Sequence, residues 1–301
     1  MDNILEKDNR DVCAIVVTYN RKSLLVECLE ALGKNKEVKH IVVVNNNSSD
    51  GTREYLETLD KEFYIIENST HNLGGAGGFS LGMELAYKRT NAKYFWIMDD
   101  DTIANFNAAS ELVEKATLLK NNFGFLCSNV RWTDGSSCNI PMAAKNWPEL
   151  TTEGLVGVTQ GTFVSILVSR DTVDKFGIPT KELFIWGDDT EYTVRVTQDN
   201  PSYFVKDSIV IHKTPNNLSG ITLKNDSLDR VNRYFYLYRN LIFISKTYKG
   251  NKDTFKLFTH YMIYALNVLL KSENHKWRRA MVVLKGIFAG IKFNPDIKYM
   301  N

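Results

Sequence analysis

A chain of 301 residues, 44% hydrophobic and 24% charged, is long enough to bury a full α/β core and still carry a smaller second unit. No Pro/Gly/Ser-rich linker or low-complexity tract interrupts it, which excludes disorder beyond the termini, and Cys13, Cys28, Cys127 and Cys138 lack the CxxC spacing of a zinc site. The net charge of +2 conceals a split: residues 224–301 hold 15 Lys and Arg against 5 Asp and Glu, so +10, and the rest of the chain carries −8.

Residues 13–17 are an unbroken apolar run of strand length that leads through Thr18-Tyr19-Asn20-Arg21 into an amphipathic helix over about 23–33. A second strand is expected at 41–44, a polar turn at 45–51, a helix at 52–59, a third strand at 63–66 and a helix that includes 82–89. The apolar run 94–98 is a fourth strand, with Asp99-Asp100-Asp101 directly behind it and a helix beginning near Asn105. Strands are further expected at 123–130 and 161–168, a helix at 188–197 and a final strand pair within 203–212. From Leu228 the texture changes to long helices at 228–248, 255–271 and 276–292. Alternating buried strands and helices imply an α/β fold with a parallel sheet covered on both faces and ligands at the carboxyl ends of the strands. Two units are expected, a catalytic domain over 1–222 and a basic helical subdomain over 223–301.

The candidate chemistry falls at those strand ends. Three carboxylates behind a strand offer hard oxygen ligands to a divalent cation and the phosphates it neutralises; the alternative is a loop cluster capping the next helix. Gly74-Gly75-Ala76-Gly77-Gly78 is not a dinucleotide fingerprint, because the third glycine of GxGxxG falls on Ser80 and the run follows the third strand instead of the first. It reads either as backbone that passes close to a sugar or diphosphate, or as a turn before a helix. Asp188, Asp189 and Glu191 open a helix whose dipole alone could account for them. Trp186 beside them is either a sugar platform or core. His212 is either a metal ligand or a solvated strand-end histidine.

Taken in order, Val16-Val17-Thr18-Tyr19-Asn20-Arg21, Val44-Asn45-Asn46-Asn47-Ser48-Ser49-Asp50-Gly51-Thr52, Asn72-Leu73-Gly74-Gly75-Ala76-Gly77-Gly78, Asp99-Asp100-Asp101 and Phe184-Ile185-Trp186-Gly187-Asp188-Asp189-Thr190-Glu191-Tyr192 resemble the inverting family 2 glycosyltransferases of GT-A fold. Bacterial galactofuranosyltransferases are the nearest branch and rhamnosyltransferases the next, over about 12–212. The resemblance implies that Thr18, Asn20, Arg21, Asn45 and Asn46 hold the nucleotide, with Asn72, Gly74 and Gly75 near the diphosphate or donor sugar. Asn45 stands where family members usually have Asp, so that contact loses its charge. The resemblance further implies that Asp99 and Asp101 bind Mn²⁺ or Mg²⁺ through the donor diphosphate, with Asp100 between them at the donor site. His212 then completes the metal shell and favours Mn²⁺. Asp189 would be the catalytic base, Asp188 and Glu191 would orient acceptor hydroxyls, and Trp186, Gln160 and Gly161 would line the sugar or acceptor space.

The function so implied is transfer of a sugar, galactofuranose from its UDP conjugate, onto a glycan acceptor, expected to be lipid-linked, in surface polysaccharide assembly. A dTDP-rhamnose transferase is the alternative, and a non-catalytic nucleotide-sugar or glycan-binding subunit is the alternative of another class. The N-terminus MDNILEKDNR is too charged for a signal peptide, which points to a cytoplasmic protein. None of the tail helices has the uncharged run of about 18 residues that spans a bilayer. Their mixed aromatic and basic character, with Lys276, Arg278, Arg279 and Lys285 together, suits either the anionic inner face of the cytoplasmic membrane or a helical subdomain with a solvated charged face. No nucleic-acid motif accompanies the charge, and a homo-oligomer is left open.

Overall fold

The computed structural model describes residues 10–215 and 222–300. The expectation that the chain lacks a signal peptide rests on residues 1–9 and lies outside the described residues. Strand β1 (Val12–Thr18) is buried over all seven residues and runs parallel to β2 (Val38–Asn45) and β4 (Tyr94–Asp99); β3 (Tyr64–Asn68) lies outside β2. The crossovers are α1 (Lys22–Gly33), α2 (Thr52–Glu57) and α3 (Gly74–Arg89). Alternation along β1 divides the core. Val12, Ala14 and Val16 pack with Leu25 and Leu29 on one face, and Cys13, Ile15 and Val17 pack with Phe79 and Met83 on the other.

Beyond β4 the chain forms β5 (Thr102–Ala104), α4 (Ala108–Leu118), β6 (Leu126–Trp132), β7 (Met142–Ala143), β8 (Leu155–Gln160), β9 (Ile166–Ser169), α5 (Arg170–Phe176), α6 (Asp188–Val196) and β10 (Ser202–His212). The sheet order is β3-β2-β1-β4-β9-β6-β10-β8-β7, with β5 on β10. The sheet is therefore mixed and not parallel: β9 is antiparallel between β4 and β6, and β8 is antiparallel to β10. A buried apolar run reads the same in either direction, and only its neighbours decide which it takes. The strand expected over 161–168 forms only at its end, as β9, with β8 before it, and the expected pair within 203–212 is the single strand β10. The helix expected near Asn105 starts at Ala108, because 102–104 pair with β10 first.

The glycine run forms the first turns of α3, which corrects its reading as a turn before the helix, and Gly74, Gly77 and Gly78 are buried. A Cβ on Gly78 would lie 2.4 Å from Val17 Cγ1, and one on Gly82 would lie 2.6 Å from Ile15 Cγ2. The glycines let α3 lie directly on β1, as a bulkier surface could not.

The tail forms α7 (Leu228–Val231), α8 (Arg233–Tyr248), α9 (Asn251–Lys271) and α10 (Lys276–Lys292), so the first expected helix is interrupted at Asn232. Val231, Tyr238, Ile242, Val268, Val283 and Ile287 make a separate apolar cluster among these helices. Residues after α10 return to the sheet domain. Ile178 N donates to Lys298 O at 3.0 Å, and Lys298 Nζ pairs with Glu84 at 2.6 Å. Cys13, Cys28 and Cys127 are buried, Cys138 is half-buried, and all four are free thiols.

Candidate active site

The carboxyl ends of β1, β4 and β10 converge on the Asp99-Asp100-Asp101 turn. Each carboxylate has a different environment. Thr18, buried at the end of β1, donates through Oγ1 to Asp100 Oδ2 at 2.7 Å, and Arg21 Nη1 donates to Asp100 Oδ1 at 3.2 Å and to Asp101 Oδ2 at 2.7 Å. Asp100 thus ties the first turn to the acidic turn and faces inward, and Thr18 positions it. Asp101 Oδ1 also lies 3.1 Å from His212 Nε2. The second ring nitrogen, Nδ1, lies 2.9 Å from Asn139 Oδ1. An amide oxygen can only accept, so Nδ1 carries the proton and Nε2 is the nitrogen aimed at the acidic cluster.

Burial and mutual repulsion push Asp99 up to about 7, with Asp101 as the main like charge. Asp100 rises to about 6 because burial outweighs Arg21 and Thr18. Burial also works against Asp101, but the His212 hydrogen bond and the charges of His212 and Arg21 prevail and hold it below the usual carboxylate range. His212 is raised for the converse reason: burial opposes its charge, and Asp101 and Asp99 overcome that opposition. One oxygen each from Asp99 and Asp101 and one nitrogen from His212 lie within 4.8 Å of one another. Ligand atoms around one divalent cation at roughly 2.1 Å sit about 3–4.2 Å apart, so small rotations would close this O, O, N set on an ion. The residues fit a divalent metal.

The loop before α6 brings the second acidic pair to the same cleft. Phe184 (φ 64°), Trp186 (φ 59°) and Gly187 (φ 93°) all take left-handed backbone, which two large side chains rarely adopt. Asn240 of α8, fully buried, holds this loop by donating from Nδ2 to the carbonyls of Leu183, Ile185 and Trp186 at 3.0, 3.3 and 2.7 Å. Arg239 Nη2 adds the carbonyls of Glu182 and Leu183 at 2.7 and 3.1 Å, and Ala76 N of α3 donates to Phe184 O at 3.1 Å. A Cβ on Gly74 would lie 2.1 Å from Phe184 O, so Gly74 serves this close approach. Gly75 does face the cleft, with its Cβ position 3.7 Å from Asp188 Oδ2.

Asp188 and Asp189 open α6. Burial, Asp189 and, to a smaller degree, Asp99 raise Asp188 well above the carboxylate range, which shows that the two acidic sites feel each other. Asp189 is raised by burial against the opposing hydrogen bonds of Thr190, whose N and Oγ1 lie 2.6 and 3.3 Å from Asp189 Oδ1. Glu191 does not join them. It is fully buried and accepts from Arg195 Nη2 at 3.1 Å, Tyr248 Oη at 2.5 Å and Thr180 Oγ1 at 3.1 Å, so the expectation that it orients acceptor hydroxyls is corrected to a structural role. Two residues on from Asp189, it points to the opposite side of the helix.

The remaining expected residues support the cleft. Gln160 Nε2 donates to Thr190 Oγ1 at 3.1 Å and Gly161 N to Thr193 Oγ1 at 3.3 Å, so both back α6. Trp186 is half-buried against Tyr234, with ring centroids 5.0 Å apart, and belongs to the contact with the tail. Asn45 pairs with Asn68 at 2.8 Å, and Asn46 donates to Gly74 O at 2.8 Å; both are buried and brace the turns. Asn72 is exposed and accepts from Gly74 N at 2.8 Å. Asn20, with φ 52°, latches the second turn by accepting from Ser49 N at 2.7 Å. Beside it, Arg21, Lys22 and Asp50 border an open depression of about 500 Å³. Asn139, Arg239 and Asn240 escaped sequence reasoning, although a lone Asn within the aromatic run 234–244 was a visible anomaly.

Residues 13–155 match the family described as Glycosyl transferase family 2. The galactofuranosyltransferase GlfT1 of Mycolicibacterium smegmatis is 32% identical over 202 residues, which cover 62% of this chain and 65% of that protein. Similar folds occur in GalNAc-T7, solved with UDP, GalNAc and Mn²⁺ (TM-score 0.63, 14% identity, 89% of this chain and 54% of that one), and in the mannosyltransferase PcManGT from Pyrobaculum calidifontis, solved with GDP-Man and Mn²⁺ (TM-score 0.54, 13% identity, 93% and 87%). Residues 13–155 thus match the family 2 glycosyltransferases, and the chain that carries them has the GT-A fold.

Proposed function

We propose that this chain is a divalent-cation-dependent, inverting glycosyltransferase that moves galactofuranose from UDP-galactofuranose onto a glycan acceptor in surface polysaccharide assembly. The observation that carries the reading is the placement of Asp99, Asp101 and His212 in the same cleft as Asp188 and Asp189. A cation held by Asp99, Asp101 and His212 would supply charge neutralisation to the departing diphosphate, and the imidazole ligand favours Mn²⁺ over Mg²⁺. Arg21, whose side chain is 47% exposed, keeps donors that can reach a phosphate oxygen. Asp189 takes the proton from the acceptor hydroxyl as that oxygen bonds to the anomeric carbon, while the bond from that carbon to the diphosphate oxygen breaks on the opposite side. Its raised proton affinity suits a base near neutral pH. The strained loop held by Asn240 fixes where that carboxylate stands. The identity of the sugar is supported by the relative named as a galactofuranosyltransferase. The acceptor is proposed to be lipid-linked and reached at the inner face of the cytoplasmic membrane.

Donor hydrolysis and transfer, measured with UDP-galactofuranose, dTDP-rhamnose and other nucleotide sugars with Mn²⁺, Mg²⁺ or excess chelator, test the whole reading. Turnover of UDP-galactofuranose that requires the cation is expected. Turnover of dTDP-rhamnose alone would replace the donor, undiminished turnover in chelator would remove the metal, and binding without turnover of any donor would make the chain a binding subunit.

A further inference from the structure

Helices α9 and α10 present an apolar surface that nothing in the described chain covers. Of the 21 residues of α9, only Ala265 and Val268 are fully buried. Phe255, Met262, Ile263, Leu266 and Leu270 project from one side of it, with Phe255, Ile263, Leu266 and Leu270 each between 62 and 72% exposed. Their spacing of seven, one, three and four residues keeps them on one arc of the helix. On α10, Trp277, Phe288 and Ile291 form a second exposed row, at 69, 52 and 47%. The rings of Phe258 and Phe288 meet at 5.5 Å between the two helices, so the rows adjoin as one surface. Scattered exposed apolar residues are ordinary, whereas eight on two neighbouring helices are a patch that marks a partner.

The charges around the patch indicate the partner's chemistry. Lys252, Lys256 and Lys271 of α9 and Lys285 and Lys292 of α10 are all exposed, against Asp253, which pairs with Lys256 at 3.4 Å, and Glu273. An apolar centre with a basic rim is complementary to a layer that is anionic at its surface and hydrocarbon beneath it. A second copy of the chain would bring like basic rims together, and a nucleic acid would leave the aliphatic centre without a counterpart. Among the described residues no helix is long and apolar enough to cross a membrane, so the surface would lie on a bilayer and not span it. Arg279 takes no part. It is 1% exposed, and its guanidinium donates to the carbonyls of Leu223 and Asp226 at 2.7 and 2.8 Å, which corrects its expected place on the basic face.

We propose that the exposed face of α9 and α10 docks the protein on a bilayer that carries anionic headgroups. Its purpose, bringing the cleft to a lipid-linked acceptor, rests on the function proposed above, but the docking itself rests only on this surface.

The test is sedimentation of the full chain with phosphatidylglycerol-containing vesicles and with pure phosphatidylcholine vesicles, without donor, metal or acceptor. Wild-type protein is expected to bind the anionic vesicles at low salt and to ignore the neutral ones. The double variant Ile263→Glu/Leu266→Glu and the triple variant Lys252→Glu/Lys256→Glu/Lys285→Glu should each weaken binding by at least about tenfold with unchanged thermal melting, because all five side chains are exposed. Wild-type protein that does not sediment, or variants that bind as tightly as wild type, would overturn the proposal. So would light scattering that shows a wild-type dimer split by Ile263→Glu/Leu266→Glu, since a second copy would then be the occupant. None of these outcomes depends on catalysis, so docking can fail while the glycosyltransferase reading stands, and the reverse.

Discussion

At the scale of single residues, neighbouring carboxylates are given unlike roles by their surroundings. Asp99 and Asp101 share one cluster, yet burial and repulsion raise Asp99 to about 7 while His212 and Arg21 keep Asp101 charged. Asp100 is spent on Thr18 and Arg21. Asp101→Ala should therefore abolish cation-dependent nucleotide binding; calorimetry with UDP, with and without Mn²⁺, measures it. At the other acidic site Asp189→Asn keeps the shape but cannot take a proton. Transfer should fall by roughly 10²–10⁴-fold with donor affinity little changed. Loss of donor binding in that variant would place Asp189 on the donor side and leave the base to Asp188.

At the scale of elements, a tail helix sets the geometry of the loop before α6. Asn240 lies over fifty residues beyond the carbonyls it holds, and without its amide the carbonyls of Ile185 and Trp186 would lose their donor, while Leu183 O would keep Arg239. Asn240→Leu preserves bulk and removes the donors. Turnover should drop by roughly 10²-fold through misplacement of Asp188 and Asp189, with UDP binding at the Asp99 cluster unaffected. A variant with full turnover would show that the loop holds its shape without the clamp.

At the scale of the whole molecule, the helical tail and the sheet domain are joined through buried polar groups as well as apolar contact. Glu191 and Arg195 of α6 form a fully buried ion pair whose carboxylate also receives Tyr248 from α8. Arg195 further donates to the carbonyls of Phe176 and Ile178. Removing one partner of such a pair leaves an uncompensated charge, so Glu191→Ala should cost about 3–5 kcal/mol. For a chain of this size that lowers Tm on the order of 10 °C. Calorimetry that showed the tail and the body melting separately in this variant, and together in wild type, would identify the pair as part of what couples them.

The motif order, the run β1 to β4, the likeness to the family 2 glycosyltransferases and the position of the Asp99 to Asp101 turn were all legible in the chain, because local apolar runs and strand-end polar residues are properties of contiguous sequence. The burial of Glu191 was legible in principle as well, since two residues of helix turn it away from Asp189. Strand direction was not, because β9 owes its orientation to β4 and β6, which lie 72 and 40 residues before it at their first positions. Nor was the meaning of the glycines, which depends on how closely α3 approaches β1 and the loop at Phe184. The tautomer-setting contact of Asn139 with His212, the clamp of Asn240 and the bare face of α9 share that origin. Each is a pairing, or a missing pairing, between segments distant in the chain, and such pairings exist only once tertiary packing has placed them.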